Sequence, residues 1–337
     1  MTTMLVLGGT AWLGREVARE AIGAGYDVTC LARGESGSVP DGARLVAADR
    51  TQADGYAAVS GRDWDAVVDV ARQPGQVRSA LAALGERAGH WTFVSSCSVY
   101  ADHGTPEADE SAPLLPALDA TEGTAEQYGE AKVACELACL EALPDRLLVA
   151  RAGLIAGPGD RSDRFGYWPA RFALAAEGDP AWPSTVLVPD TPHFATQTID
   201  VRDLAAWLVR SATARSTGVF NVVGADEPLG TVLEAAARVA GYDGAVEAVD
   251  SQWLHEQDVE DWMGPRSLPL WIADPAWAGF GARDGSAARA AGLTYRPLDD
   301  LVAGALAWER ELGLHRHRSA GLTAAQERAL LTAWAAR

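Results

Sequence analysis

The chain has 337 residues, 48% of them hydrophobic, and its 28 basic against 46 acidic side chains give a formal charge of −18. That is enough chain to bury a substantial core, as one large domain or two lobes, and no apolar run approaches the roughly 20 residues needed to cross a bilayer. The charge repels nucleic-acid backbones and anionic lipid surfaces, so the expected partner is a small molecule, with neither nucleic acid nor membrane. Cys30, Cys97, Cys135 and Cys139 lack metal-ligand spacing, and Arg15 and Glu16 come too early for a signal-peptide core. Together these predict a cytoplasmic protein that binds no metal.

In chain order, residues 4–7 read as a short apolar strand, followed by the turn Gly8-Gly9-Thr10-Ala11-Trp12-Leu13-Gly14 and a helix to about residue 24. Strand, glycine turn and helix aim backbone N–H groups and a helix N-terminus at a phosphate. Gly8 makes the tight turn, and Gly14 lets helix and strand approach closely. Ala11 stands where the dinucleotide fingerprint has its middle glycine, with Thr10, Trp12 and Leu13 completing the cradle. A second strand, residues 27–32, closes a βαβ unit and ends at Ala32-Arg33. Its end carries no acid for the ribose hydroxyls, and an arginine there favours the 2′-phosphate of NADP over NAD.

Strand-like runs recur at 44–47, 65–70 and 91–95, with helical segments near 52–60 and 76–87. The alternation predicts an α/β fold of Rossmann type, a doubly wound parallel sheet with helices on both faces. Ligands in such sheets lie beyond the carboxyl ends of the strands. That rule puts Asp49, Arg50, Ala71, Arg72, Ser95, Ser96, Cys97 and Ser98 at the ligand edge. Residues 1–160 are assigned to the nucleotide-binding domain, with a segment near 190–225 returning to it. Residues 161–190 and 226–318 form a smaller C-terminal substrate-binding lobe, and 319–337 a terminal helix.

One residue stands apart from this pattern. Lys132 is the only lysine among the 28 basic residues. Arginine serves wherever any cation will do, so a lone lysine marks a place where a compact ammonium is needed and a broad guanidinium does not fit. Tyr128 precedes it by four residues, on the same face of a helix.

The glycine turn, Val94 to Tyr100, Tyr128 to Lys132, Arg151 to Pro158 and Ile199 to Ala205 together resemble the extended short-chain dehydrogenase/reductase family, often labelled NAD-dependent epimerase/dehydratase. They run in family order over about the first 225 residues, and the Gly-Gly-Thr-x-Trp-Leu-Gly turn is similar to an atypical branch. The resemblance implies that Tyr128 exchanges its phenolic proton with a substrate carbonyl oxygen while hydride passes to or from the carbon. Lys132 would stabilise the phenolate and bond the cofactor ribose, and Ser96 would hold the carbonyl oxygen. It also assigns Gly153 to the cofactor side and implies a homodimer through helices of the first lobe.

Three departures bear on the substrate. Dehydratases of the family carry an Asp-Glu pair where Cys97 and Ser98 stand here, so dehydration is not expected. An asparagine and an arginine that contact the sugar diphosphate in nucleotide-sugar enzymes are replaced by Leu154 and Thr196. Nine of the 12 tryptophans lie beyond residue 150, and Trp253, Trp262, Trp271 and Trp277 crowd one Pro- and Gly-rich stretch, which suggests the wall of an apolar pocket. Cys97, Ser98, Leu154, Arg164, Trp168 and Trp271 are the candidate substrate contacts. Glu256, Asp258, Glu260 and Asp261 suggest a neutral or cationic substrate.

The reading is an NADP(H)-dependent reductase or dehydrogenase for an apolar carbonyl compound or alcohol. An epimerase acting by transient oxidation is the nearest alternative. A non-catalytic dinucleotide-binding module is opposed by the presence of Ser96, Tyr128 and Lys132, and an RNA-binding protein by the charge.

Overall fold

In the computed structural model, which describes residues 2–337, seven parallel strands form the central sheet. Six of them are β1 (Thr3–Leu7), β2 (Asp27–Ala32), β3 (Arg44–Ala47), β4 (Ala66–Asp69), β5 (Trp91–Ser96) and β6 (Leu147–Ala152), and the seventh is Gly218–Val222. Their order is Gly218–Val222, β6, β5, β4, β1, β2, β3. Met4, Leu5, Val6 and Leu7 are fully buried, as are Val67 and Val68 of β4, because helices cover both faces and no side of the central strands meets water. The order reverses between β1 and β4, which opens a crevice at their carboxyl ends.

Helices α1 (Trp12–Gly23), α2 (Pro74–Leu84), α3 (Tyr128–Ala142) and α5 (Val201–Ala214) flank the sheet, α1 against α5 and α2 against α3. A buried polar network fixes α3 in place. Glu136 accepts from Arg151 of β6 at 2.8 Å, Arg151 donates to the Tyr100 hydroxyl at 3.1 Å, and Tyr100 donates to Asn221 at 2.5 Å. A charge pair this deep contributes little net stability, but removing one partner typically costs about 3–5 kcal/mol, so it holds helix and strands in a single register.

The strands expected at 27–32 and 44–47 form with those bounds. The helix expected near 52–60 does not form, and that stretch is a succession of turns. The Asp49 carboxylate accepts from the Thr51 amide (2.9 Å) and hydroxyl (2.8 Å), Gly55 packs against the Asp49 carbonyl, and the hydroxyl of the buried Tyr56 accepts from Arg50. These local side-chain bonds compete with the helical pattern and win.

Beyond the sheet, helix α4 (Tyr167–Ala176) lies at the centre of a second apolar body with Val186, Leu229, Trp253, Leu268 and Trp271. The helix Ala324–Ala335 begins with a capping box at Thr323 and Gln326. It is bound to this body by its buried Glu327, which accepts from Arg171 at 2.5 Å and from the Leu187 amide at 2.9 Å.

Candidate active site

The glycine turn has the shape that a pyrophosphate requires. Gly8 has φ +102, and a Cβ there would come within 2.6 Å of Val70, while a Cβ on Gly14 would run into the Gly8 carbonyl. Ala11 is the N-cap of α1 and has no side chain to bond the first helical amides. Those donors are left for a ligand, and the helix dipole favours an anionic one. Trp12 has a structural part: its indole N–H donates to the Pro158 carbonyl at 2.7 Å and ties the turn to the loop after β6.

The turn opens into a cleft of about 1820 Å³, also lined by Thr10, Leu13, Arg33, Asp49, Ala71, Arg72, Ser95 and Gly153. Ser96, Cys97, Ser98, Tyr128, Lys132, Leu154 and Arg164 line the same cleft. A smaller depression of about 440 Å³, where Thr3, Asp65 and Arg146 meet near the opposite strand ends, contains none of them.

Ser96 ends β5 in extended backbone, and its oxygen accepts from the Ser98 amide at 3.1 Å. Gly129 lets α3 press against this serine turn, since a Cβ there would strike the Ser98 carbonyl and the Leu115 side chain. The contact sets the start of α3, with Tyr128 its first residue, against the serine turn, and Ser96 and Tyr128 line the same cleft. Tyr128 lies among cations. The Arg72 guanidinium carbon is 5.4 Å from its ring centroid and the Lys132 ammonium 5.9 Å. Lys132 is 3% exposed and donates to the carbonyls of Ala71 and Val94, both at 2.7 Å. An ammonium has three donors, so one remains.

Several expectations are corrected. Arg50 reaches the cleft edge, but its guanidinium is buried and committed, bidentate to Asp69 at 3.0 Å and bonded to Tyr56 at 2.9 Å, so it is not a free anion ligand. Trp168 and Trp271 are fully buried in the second apolar body and do not line the cleft; Trp168 donates to the Pro269 carbonyl at 2.7 Å. The hydrophobic, all-round character of Tyr167-Trp168-Pro169-Ala170 marks a buried helix rather than a pocket wall. Glu256, Asp258, Glu260 and Asp261 do not line the cleft either, and the Asp261 carboxylate accepts from His255 and the Ala273 amide.

The aromatic wall is built instead by Trp262 and Phe280, whose rings meet edge to face at 4.9 Å, with Met263 beside them. Trp262 belongs to the tryptophan-rich stretch, whereas Phe280 and Met263 are not among the expected contacts. The Gly279-Phe280-Gly281 run carries the signal for Phe280, since both glycines touch backbone of other segments, at Thr105 and Ala195. Arg33 is exposed at the end of β2 and pairs with Glu35 at 3.2 Å, with Ser36 and Ser38 next to it in the cleft. Burial pushes the Cys97 thiol up to about 12, and its sulfur donates to the Arg151 carbonyl.

Residues 4–86 match the NAD dependent epimerase/dehydratase family. A search of curated protein sequences gave no match. Solved structures extend the likeness to the whole fold, a Rossmann-like α/β fold. A candidate epimerase from Burkholderia cenocepacia J2315 is 23% identical with a TM-score of 0.67, over 92% of this chain and 98% of that one. The UDP-Glc/GlcNAc 4-epimerase of Campylobacter jejuni is 17% identical with a TM-score of 0.67, over 92% and 100%. UDP-glucose 4-epimerase from Bifidobacterium longum, solved with NAD+ and UDP, is 18% identical with a TM-score of 0.60, over 92% and 98%. At these identities the likeness is one of fold, over nearly the whole chain.

Proposed function

We propose that the protein is an NADP(H)-dependent oxidoreductase acting on the carbonyl, or the corresponding alcohol, of an apolar small molecule. The observation that carries this reading is the convergence of Ser96, Tyr128 and Lys132 with the glycine turn on one cleft walled by Trp262 and Phe280. The dinucleotide fits the residues present: the amides at the start of α1 would hold its pyrophosphate and the remaining hydrogen of Lys132 its ribose. When bound, it supplies hydride to the substrate carbon or accepts it. Tyr128 donates a proton to the developing alkoxide oxygen, or removes it in the oxidative direction, and the Ser96 hydroxyl holds that oxygen. Proton transfer of this kind typically contributes about 10²–10⁴ in rate, and the fixed geometry of α3 against the serine turn contributes orientation.

Arg33, with Ser36 and Ser38, supports NADP over NAD, whereas Glu35 draws on the same guanidinium. Titration with NADPH and NADH of the wild type and Arg33→Asp tests this. Preference for NADPH that reverses in the variant is expected, and tighter NADH binding to the wild type would refute the NADP assignment. Loss of hydride transfer in Tyr128→Phe tests the acid.

A second reading, epimerisation by transient oxidation, is favoured by the epimerases among the similar structures. Against a nucleotide-sugar substrate, Thr196 is buried with its hydroxyl donated to the Glu227 carbonyl at 2.7 Å, and Leu154 lines the cleft without a polar group. Inverted product with no net change in NADPH absorbance would select the epimerase reading.

A further inference from the structure

The cleft contains several arginines, and most are accounted for. Arg15 donates to the Ser38 carbonyl, and Arg19, Arg33, Arg50 and Arg202 pair with Glu16, Glu35, Asp69 and Asp200. Arg72 and Arg161 are exposed and hydrated at no cost. Arg164 fits neither group. It is half-buried, makes no ion pair or side-chain hydrogen bond among the described residues, and its Nε is buried without a partner. Its guanidinium carbon lies 5.2 Å from the Trp262 ring centroid, so it stands over the aromatic wall with its hydrogens taken by no side chain of the described residues.

The surrounding loop is built to keep it there. Asp163, immediately before it, sits at φ 62, a left-handed conformation that a non-glycine residue adopts only when its surroundings impose it. They do: Asp163 accepts from Arg316, and from the Ser319 amide at 2.7 Å and hydroxyl at 2.9 Å, while Glu309 in turn holds Arg316 and Arg318. Asp160, an acid whose charge acts on Arg164, is already used by the Ser162 amide at 2.7 Å and hydroxyl at 3.1 Å. Burial depresses the affinity of Arg164 for its proton, partly offset by Asp160 and by Tyr128, which is close enough to act on its charge. A partly desolvated guanidinium with no hydrogen-bonded counter-charge is costly, and a ligand anion would lower that cost.

We propose that Arg164 anchors a carboxylate on the substrate, near the carbonyl or alcohol carbon that reacts at Tyr128, with the apolar part of the molecule against Trp262 and Phe280. The planar fork matches a carboxylate bidentately. The substrate class is therefore an apolar oxo or hydroxy acid rather than a neutral or cationic compound. This rests on the oxidoreductase reading for the location of the reacting carbon, but not for the anion site itself.

The test compares 4-oxo-4-phenylbutanoate with its primary amide, titrated calorimetrically into the protein with and without saturating NADPH. The wild type should bind the acid at least about tenfold more tightly than the amide, as expected of a charge-assisted hydrogen bond. Arg164→Gln should bind the two alike, and Arg164→Lys, which keeps the charge and the fold, should retain part of the preference. Tyr128→Phe should abolish turnover and keep the full preference, so a failure of the catalytic reading leaves the anion measurement intact. Equal binding of acid and amide to the wild type, no binding of either, or a preference that survives in Arg164→Gln overturns the proposal.

Discussion

The indole of Trp12 reaches across 2.7 Å to the carbonyl of Pro158, joining the glycine turn after β1 to the loop that leads to Arg164. Gly159 is shaped around the same ring, since a Cβ on it would approach the indole to 2.6 Å. The tryptophan of the Gly-Gly-Thr-x-Trp-Leu-Gly turn therefore braces the glycine-turn side of the cleft against the Pro158–Arg164 loop. Trp12→Phe keeps an aromatic ring but loses the hydrogen bond, which alone costs about 1 kcal/mol in stability. Urea denaturation should show the lowered midpoint, and NADPH titration a weaker dinucleotide complex. An unchanged midpoint together with unchanged affinity would mean that the brace does nothing.

Gly129→Ala probes the approach of α3 to the serine turn. The added methyl meets the Ser98 carbonyl and Leu115, so helix and turn must separate by a few tenths of an ångström or more. A misplacement of that order between catalytic groups can cost about 10²-fold in rate, whereas the packing penalty is about 1–3 kcal/mol. Turnover should fall far more than NADPH affinity, because the glycine turn lies elsewhere. Equal losses in both would indicate general disruption instead.

Much of this fold is legible in the residues, and the failures have a common cause. Residues 27–32 announce a strand because a sheet covered on both faces needs a nearly continuous apolar run, residues 44–47 form an exposed strand at the sheet edge, and the glycine turn announces itself because glycine alone readily tolerates φ +102 at Gly8. Tyr128 and Lys132 are visible as a helical pair, but the depth at which Lys132 is held by Ala71 and Val94 is not, because those partners are 61 and 38 residues away. Trp168, Trp271 and Arg50 mislead for the same reason. An aromatic or a guanidinium looks alike in sequence whether its partner is a ligand or a distant backbone atom, and only long-range packing decides between them.

Substitution of Lys132 should separate shape from charge. The ammonium is 3% exposed, between two carbonyls and 4.8 Å from the Phe93 centroid, which leaves little room on that side for a broader head group. Lys132→Met leaves both carbonyls without their donor, and Lys132→Arg keeps the charge but cannot occupy the same space without moving β4 or β5. Each should lower stability by about 2 kcal/mol, in line with buried polar groups that lose partners or cores that are overfilled. Turnover should fall by about 10² or more if the remaining hydrogen orients the ribose. An arginine variant with wild-type activity would leave the solitary lysine without a steric reason.

The cysteines offer a readout of cofactor-site integrity that is independent of catalysis. All four are buried; desolvation pushes the thiols of Cys30, Cys97 and Cys135 up to about 12, and that of Cys139 well above its ordinary value. The thiolate is the reactive form, so near pH 8 only about one native thiol in 10⁴ carries the charge, against about one in four for an unfolded chain with thiols near 8.5. Because the folded values are raised, the thiols favour the folded state below the unfolded value, and this contribution is lost as pH rises from there through the folded values near 12. Iodoacetamide at pH 8 should leave the native protein unmodified over hours and alkylate all four residues in urea, as counted by intact mass. Cys97 is the one that lines the cleft. Rapid alkylation of Cys97 alone in the native protein would mean that the floor beneath Ser96 and Ser98 opens to solvent, and that the fixed serine turn on which the proposed mechanism depends is not fixed.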